Sequence, residues 1–245
     1  KWFQFLENLL EKNNESNFFV GKKISIADLA IWRLLGWLTS GLLDGVPTDI
    51  LEPYERLKKL REECTKQGAL LIIDEVQSGI GRMGSLYGYM QYDIKPDIVT
   101  SAKGLGGGIP IGATLTSKVI GECMQPGTHG STFGGNPMSC AVANEVVSIV
   151  SEKDFLNDVL EKEQLFLDLL SEFKTKGIFS EVRSAGLWIG CDLIDKTATE
   201  VLDQAYDAGL IMVSAGSSCL RLAPALNITN EEIEQGINLL KEVLL

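Results

Sequence analysis

Residues 70–112 read LLIIDEVQSGIGRMGSLYGYMQYDIKPDIVTSAKGLGGGIPIG, and the fold is decided there. The run Leu70-Leu71-Ile72-Ile73 is too short for a free-standing helix and rich in branched side chains, which predicts a buried strand ending at Asp74. Asp97-Ile98-Val99-Thr100-Ser101 predicts a second short strand, with Pro96 at its mouth and Lys103 just beyond it. The segment between them contains several glycines and is long enough for a crossover, so the two strands are expected as parallel neighbours in one sheet of an α/β protein. Groups at the carboxyl ends of such strands face the ligand crevice. Asp74 and Lys103 are therefore expected to project into one cleft.

That pair has a chemical meaning. A partly desolvated lysine loses its charge easily and forms a Schiff base with an aldehyde. A carboxylate can hold a proton on a heteroaromatic nitrogen, which makes the ring an electron acceptor. Pyridoxal 5'-phosphate (PLP) needs both from a protein. The alternative is a helix-capping Asp74 and a solvated loop Lys103. Gly104, Gly106, Gly107 and Gly108 favour the cofactor reading, because they let the backbone pass close to a ligand beside the lysine.

Asp74-Glu75-Val76-Gln77-Ser78-Gly79, Gly81-Arg82-Met83-Gly84 and Ser101-Ala102-Lys103-Gly104-Leu105-Gly106-Gly107-Gly108 occur in the order of a known signature. His129-Gly130-Ser131-Thr132-Phe133-Gly134-Gly135-Asn136-Pro137 adds another block. Together they resemble the class III (subgroup II) aminotransferases, most of all the acetylornithine/succinylornithine branch, from about Leu57 to the C-terminus. The resemblance implies the aspartate aminotransferase (type I) fold of PLP-dependent transferases. It implies Lys103 as the Schiff-base lysine, Asp74 on the pyridinium nitrogen and Gln77 near the ring hydroxyl. It also implies a homodimer in which Thr132, beside Ser131, binds the cofactor phosphate of the partner subunit.

With 245 residues and 45% hydrophobic content, the chain is long enough for one or two domains with a sizeable core. A net charge of −11 argues against nucleic acid or an anionic membrane as partner. Five widely spaced cysteines suit reduced thiols, hence a cytoplasmic or mitochondrial compartment; the first residue is Lys1 rather than Met, so the true start, with any targeting peptide, is expected to lie outside this sequence. The single histidine, His129, leaves no His-based metal site or Ser-His-Asp triad, and is read as a hydrogen-bonded structural residue. No apolar run approaches membrane-spanning length.

Residues 1–56 follow a different pattern. Trp2, Phe3, Leu6, Leu9 and Leu10 recur at helical spacing until Asn13-Asn14-Glu15-Ser16-Asn17 breaks the helix. Ser25-Ile26-Ala27-Asp28 forms a capping box, with Ile24 and Leu29 as its staple, ahead of an apolar helix over 26–38. This part resembles the C-terminal helical domain of a glutathione transferase. The family's thiol-activating domain is absent from it, so no transferase chemistry is expected. It also lacks the glycine-threonine phosphate loop, the ring-stacking aromatic residue and the substrate-side glutamate that an aminotransferase carries upstream. The expectation is a partial aminotransferase joined near residues 52–57 to an unrelated all-α fragment, by a mis-joined gene rather than a purposeful fusion.

Downstream, Leu57, Leu60 and Cys64 predict a helix leading to the Asp74 strand, and residues 109–115 a further strand of its sheet. Residues 137–150 predict a small-residue helix with Pro137 in its first turn, serving core and dimer contact. Ser131 and Thr132 lie just ahead of that helix, a place suited to an anion or to an ordinary capping turn. From Glu152 on, alternating helices and strands predict a small C-terminal α+β domain. Strands are expected over 181–183, 187–193, 210–213 and 220–222, and helices over 155–173, 199–208 and after Thr229. Arg221 is its chemical candidate, since an arginine fork grips carboxylates; the family arginine of this block binds the substrate α-carboxylate. A surface arginine between leucines is the competing reading.

The expected organisation is therefore a fragment over 1–56, a partial PLP-binding large domain over 57–151 and a small domain over 152–245. The function implied is PLP-dependent transamination between an amino acid and a 2-oxo acid, here N-acetylornithine and 2-oxoglutarate in arginine biosynthesis. Ornithine and 4-aminobutyrate aminotransferases are alternatives within the family. A non-catalytic chimeric remnant or dimerising module is the alternative outside it.

Overall fold

The structure, a computed structural model, describes residues 2–13, 18, 68–92 and 94–245. The expected helices over 26–38 and 57–64, and the capping box at Ser25, lie outside the described residues.

Strands β1 (Ile72–Asp74), β2 (Ile98–Ser101) and β3 (Ala113–Thr116) form a three-stranded sheet in that order. The amide of Ile98 donates to Leu71 O (3.1 Å) and that of Glu75 to Thr100 O (2.9 Å), so pairing advances in one direction along both strands and β1 and β2 are parallel. Thr116 Oγ1 donates to Asp97 O (3.1 Å), while Gly112 lies against the Ser101 carbonyl; β3 thus runs the other way. Two expectations need correction. β1 is not a buried strand: Ile72 is 42% exposed, because β1 is an outer strand of this sheet among the described residues. The third strand starts four residues later than expected. Left-handed Gly107 and Gly108 (φ 54° and 101°) first turn the chain, and Pro110 has no amide to give to a ladder.

By its internal packing the chain separates into two units. The first comprises Lys1–Ile73, Tyr92–Val99 and Thr116–Cys123. In it, α1 (Trp2–Lys12) buries Leu6 and Leu10, as the helical spacing predicts. Asn13 then ends the helix, and its side-chain amide donates to Phe18 O (2.8 Å). A single turn, α2 (Lys118–Gly121), is capped by Ser117.

The second unit comprises Asp74–Gln91, Thr100–Leu115 and Met124–Leu245. Its α3 (Pro137–Val150) has the expected bounds, with Pro137 at the first helical position. The core lies further on. Phe166, Leu170 and Phe173 share one face of α4 (Lys153–Thr175) at spacings of four and three. That face packs on an antiparallel sheet ordered β4-β5-β7-β6. β4 (Phe179–Ser184) and β5 (Ile189–Leu193) are joined by a hairpin at Ala185 and Gly186. Along β5, Ile189, Cys191 and Leu193 alternate inward. Helices α5 (Ala198–Asp207) and α6 (Asn230–Leu244) each start with a capping box, Thr197 with Glu200 and Thr229 with Glu232. Ile233, Ile237 and Leu240 of α6 are buried, as expected.

Of the strand expected over 210–213, only β6 (Val213–Ser214) forms, and it pairs with β7 (Cys219–Leu222). The Leu210 amide is taken by Ala205 O (2.7 Å) in the left-handed Gly209 turn that ends α5. Among the described residues no helix is long and apolar enough to cross a membrane.

Candidate active site

Asp74 ends β1, and the chain leaves it in a turn that carries Gln77. Asp74 Oδ1 accepts from the Val76 amide (3.0 Å) and from Thr100 Oγ1 of the neighbouring strand (3.0 Å). Three residues past Thr100, Lys103 opens a 3-10 turn (Lys103–Gly106), and its Nζ donates to Gln77 Oε1 at 3.4 Å. Parallel pairing of β1 and β2 thus puts the aspartate and the lysine at the same end of neighbouring strands.

Lys103 adopts φ 48°, a left-handed conformation uncommon outside glycine. Buried Ile80, at φ 53°, does the same and is β-branched, so its strain is greater. The two strained sites adjoin: a Cβ placed on Gly104 would sit 3.5 Å from Ile80 Cβ. Strain of this kind depends on long-range packing, and the sequence carried no sign of it.

Sequence reasoning also passed over Glu75, which is only 2% exposed. Its carboxylate accepts from Ser78 Oγ (2.6 Å) and from the amides of Gly88 (3.1 Å) and Tyr89 (2.7 Å). Its own amide reaches Thr100 O, and its carbonyl accepts from Gly79 (3.0 Å). Glu75 therefore fixes the turn that presents Gln77. The available signal was a second acid beside Asp74 ahead of a glycine-rich turn. Ser101, also 2% exposed, buries a hydroxyl that finds no partner among the described residues.

The hydrogen bonds that join Lys103 to Gln77 and Asp74 to Thr100 do not include Ser131, Thr132 or Arg221. Ser131 and Thr132 are exposed in the loop before α3. They are not its cap: Asn136 Oδ1 accepts the Ser139 amide (2.9 Å) instead. His129, also exposed, meets the hydroxyl of the adjacent Thr128 at 3.3 Å.

Two arginines flank Gly190 across the small sheet, Arg183 on β4 and Arg221 on β7. Arg183 is neutralised in place. It grips both carboxylate oxygens of Asp192 and reaches Glu181 at 2.7 Å, so its pKa is raised, chiefly by the Asp192 hydrogen bonds. The same bonds hold the Asp192 carboxyl below the usual range. Arg221 has no ion pair among the described residues, and its Nε is buried without a partner. Of the two, Arg221 is the one with a donor to spare for a carboxylate. Burial pushes the nearby Cys191 thiol up to about 12, which removes it as a nucleophile near neutral pH.

The assembled donors suit a pyridoxal ring. An exposed primary amine rests on a neutral amide, and a carboxylate stands fixed at the neighbouring strand end. The comparisons with known proteins agree. The chain belongs to the class-III aminotransferases, a PLP-dependent family whose model matches residues 48–244. A glutathione S-transferase C-terminal domain matches residues 1–70, so the two matches overlap. Succinylornithine transaminase of Photorhabdus laumondii subsp. laumondii is 48% identical over 194 residues, 77% of this chain and 48% of that protein. The enzyme of the same name from Salmonella agona is 46% identical over 186 residues, 74% of this chain and 46% of that protein. Among solved structures, acetylornithine aminotransferase from Elizabethkingia anophelis superposes with a TM-score of 0.69 at 32% identity, covering 81% of this chain and 52% of that one. Ornithine aminotransferase from Toxoplasma gondii, with partial occupancy of PLP at its active site, gives 0.68 at 29%, covering 77% and 46%. The chain spans about half the length of the curated relatives it matches.

Proposed function

We propose that this chain carries the lysine-bearing half of a PLP-dependent transaminase. The amino donor is an N-acylated ornithine (acetyl or succinyl) and the acceptor 2-oxoglutarate, a reaction of arginine metabolism. Residues 57–151 form the cofactor-bearing part and 152–245 the smaller substrate-side domain. The observation that carries the reading is Lys103, an amine held in a strained backbone beside Gln77, one strand from a fixed carboxylate. The names of the relatives support the choice of substrate.

When bound, PLP supplies an aldehyde that captures amines and a ring that accepts electrons. The chain's own residues do the rest. Lys103 would hold the cofactor through its Nζ, and that amine, when free, would be the base that takes the proton from the substrate carbon onto itself. Asp74 keeps the ring nitrogen protonated, and Gln77 orients the ring hydroxyl. Arg221 grips the substrate carboxylate through its unpaired edge. Ser131 and Thr132 serve the phosphate of the partner subunit in a homodimer. That arrangement is supported by their exposure and by the apolar surface around them, Phe133 at 80% and Met138 at 68% exposed. A cytoplasmic compartment fits the reduced cysteines.

The test is covalent. The purified chain is incubated with PLP, reduced with borohydride and mapped by peptide. The cofactor is expected on Lys103 alone and lost in Lys103→Ala. Label on another lysine, or label surviving that substitution, refutes the assignment.

A further inference from the structure

The Gly81-Arg82-Met83-Gly84 turn has no part in the chemistry above, yet its backbone is tightly constrained. Gly81 and Gly84 are left-handed (φ 81° and 79°), and side chains there would strike Val150 and Leu160. Between them Arg82 reaches across the fold. Both bonds of its Nη1 go to carbonyls, Leu187 O at 2.8 Å and Pro224 O at 2.7 Å. The Arg82 carbonyl in turn accepts from the Leu187 amide (3.0 Å). Among the described residues Arg82 has no ion pair, and desolvation lowers its pKa. A half-buried cation held by two neutral carbonyls is a costly fastening. Its advantage is geometric: the two hydrogens of one planar nitrogen fix the angle between the groups they hold.

Those groups border Arg221. Pro224 lies three residues beyond it on the strand's exit. Leu187 stands two residues before Ile189, where β5 pairs with Leu222, and Gly190 pairs with Arg221 itself. The other end of the tether is the turn that begins at Asp74 and Gln77.

We propose that Arg82 is a positioning residue for the substrate carboxylate, setting where Arg221 stands relative to the turn beside Lys103. The proposal rests on the reading of Arg221 as the carboxylate grip. A displacement of about an ångström is enough to weaken such a grip by tenfold or more.

The full chain and its Arg82→Met, Arg82→Lys and Arg221→Met variants are titrated calorimetrically with 2-oxoglutarate, and PLP capture at Lys103 is measured separately by borohydride reduction. Arg82→Met is expected to weaken 2-oxoglutarate binding about tenfold, with PLP capture changed by no more than about twofold. Arg82→Lys, which keeps the charge without the planar fork, should fall between, and it serves as the folded control if the methionine variant is unstable. Combining Arg82→Met with Arg221→Met should add nothing to Arg221→Met alone. Unchanged affinity in both Arg82 variants overturns the proposal. So does an equal loss of 2-oxoglutarate and PLP binding, which is what a merely structural role produces. An Arg221→Met chain that binds like wild type, or a wild type with no measurable affinity, overturns it as well. Failure of PLP capture in the wild type instead strikes the functional reading and leaves the 2-oxoglutarate comparison legible.

Discussion

Replacing Glu75 by alanine removes an acceptor that three donors share. Two of them, the amides of Gly88 and Tyr89, sit in buried and half-buried backbone and have no alternative partner within the turn. The third, the Ser78 hydroxyl, can rotate to water, so its loss counts for little. Hydrogen bonds to a charged group contribute roughly 1.5–3 kcal/mol each, and allowing for water entering the vacated space the expected loss is about 3–4 kcal/mol. Against a typical total of ~5–15 kcal/mol that is a large fraction. Urea unfolding measures it as a lower midpoint at unchanged slope. Glu75→Gln keeps one carbonyl acceptor but turns an amide donor toward backbone N–H groups, so about half the loss is expected. Capture of PLP at Lys103 should fall in both, because the turn carrying Gln77 is no longer fixed. If Glu75→Ala stays within about 1 kcal/mol of wild type, a single unmade buried hydrogen bond has not been lost and the account of this turn is wrong.

Two further outcomes follow from the small domain. Asp192 has a lowered pKa, so its link to Arg183 contributes stability that is fully present above the ordinary aspartate value of 3.8 and is lost as pH falls through the folded value. Thermal melts from pH 6 downward, set beside Asp192→Asn, should converge in acid; parallel curves would contradict the linkage. Gly186→Ala forces a Cβ to 2.7 Å from Met83 backbone at φ 59°, and should cost about 3 kcal/mol or more by the same unfolding assay, whereas a near-neutral result would mean the hairpin can shift.

Much of this was legible in sequence because the signals are local. The helix of α3 is announced by Pro137, and α6 by the cap at Thr229. The β5 strand is written in the alternation of Ile189, Cys191 and Leu193. Where local signals compete the reading slipped. The apolar residues at 210–213 look like a strand, but the amide of Leu210 is already committed to closing α5. The run at 70–73 looks buried because it is apolar, and periodicity says nothing about whether a strand stands at a sheet's outer edge.

The candidate site divides along the same line. Residue chemistry and order pointed to Lys103 and Asp74, since an amine and a carboxylate keep their reactivity wherever they sit, while Gln77 and the role of Arg221 came from the family resemblance. Which arginine has a donor left over could not be read, because Arg183 is neutralised by Asp192 across a strand pairing that sequence does not display. The strain at Lys103 and Ile80, the burial of Glu75 and the reach of Arg82 to carbonyls 105 and 142 residues away belong to the tertiary structure alone. Each depends on distant backbone brought within hydrogen-bonding or packing distance, and only the folded chain supplies that proximity.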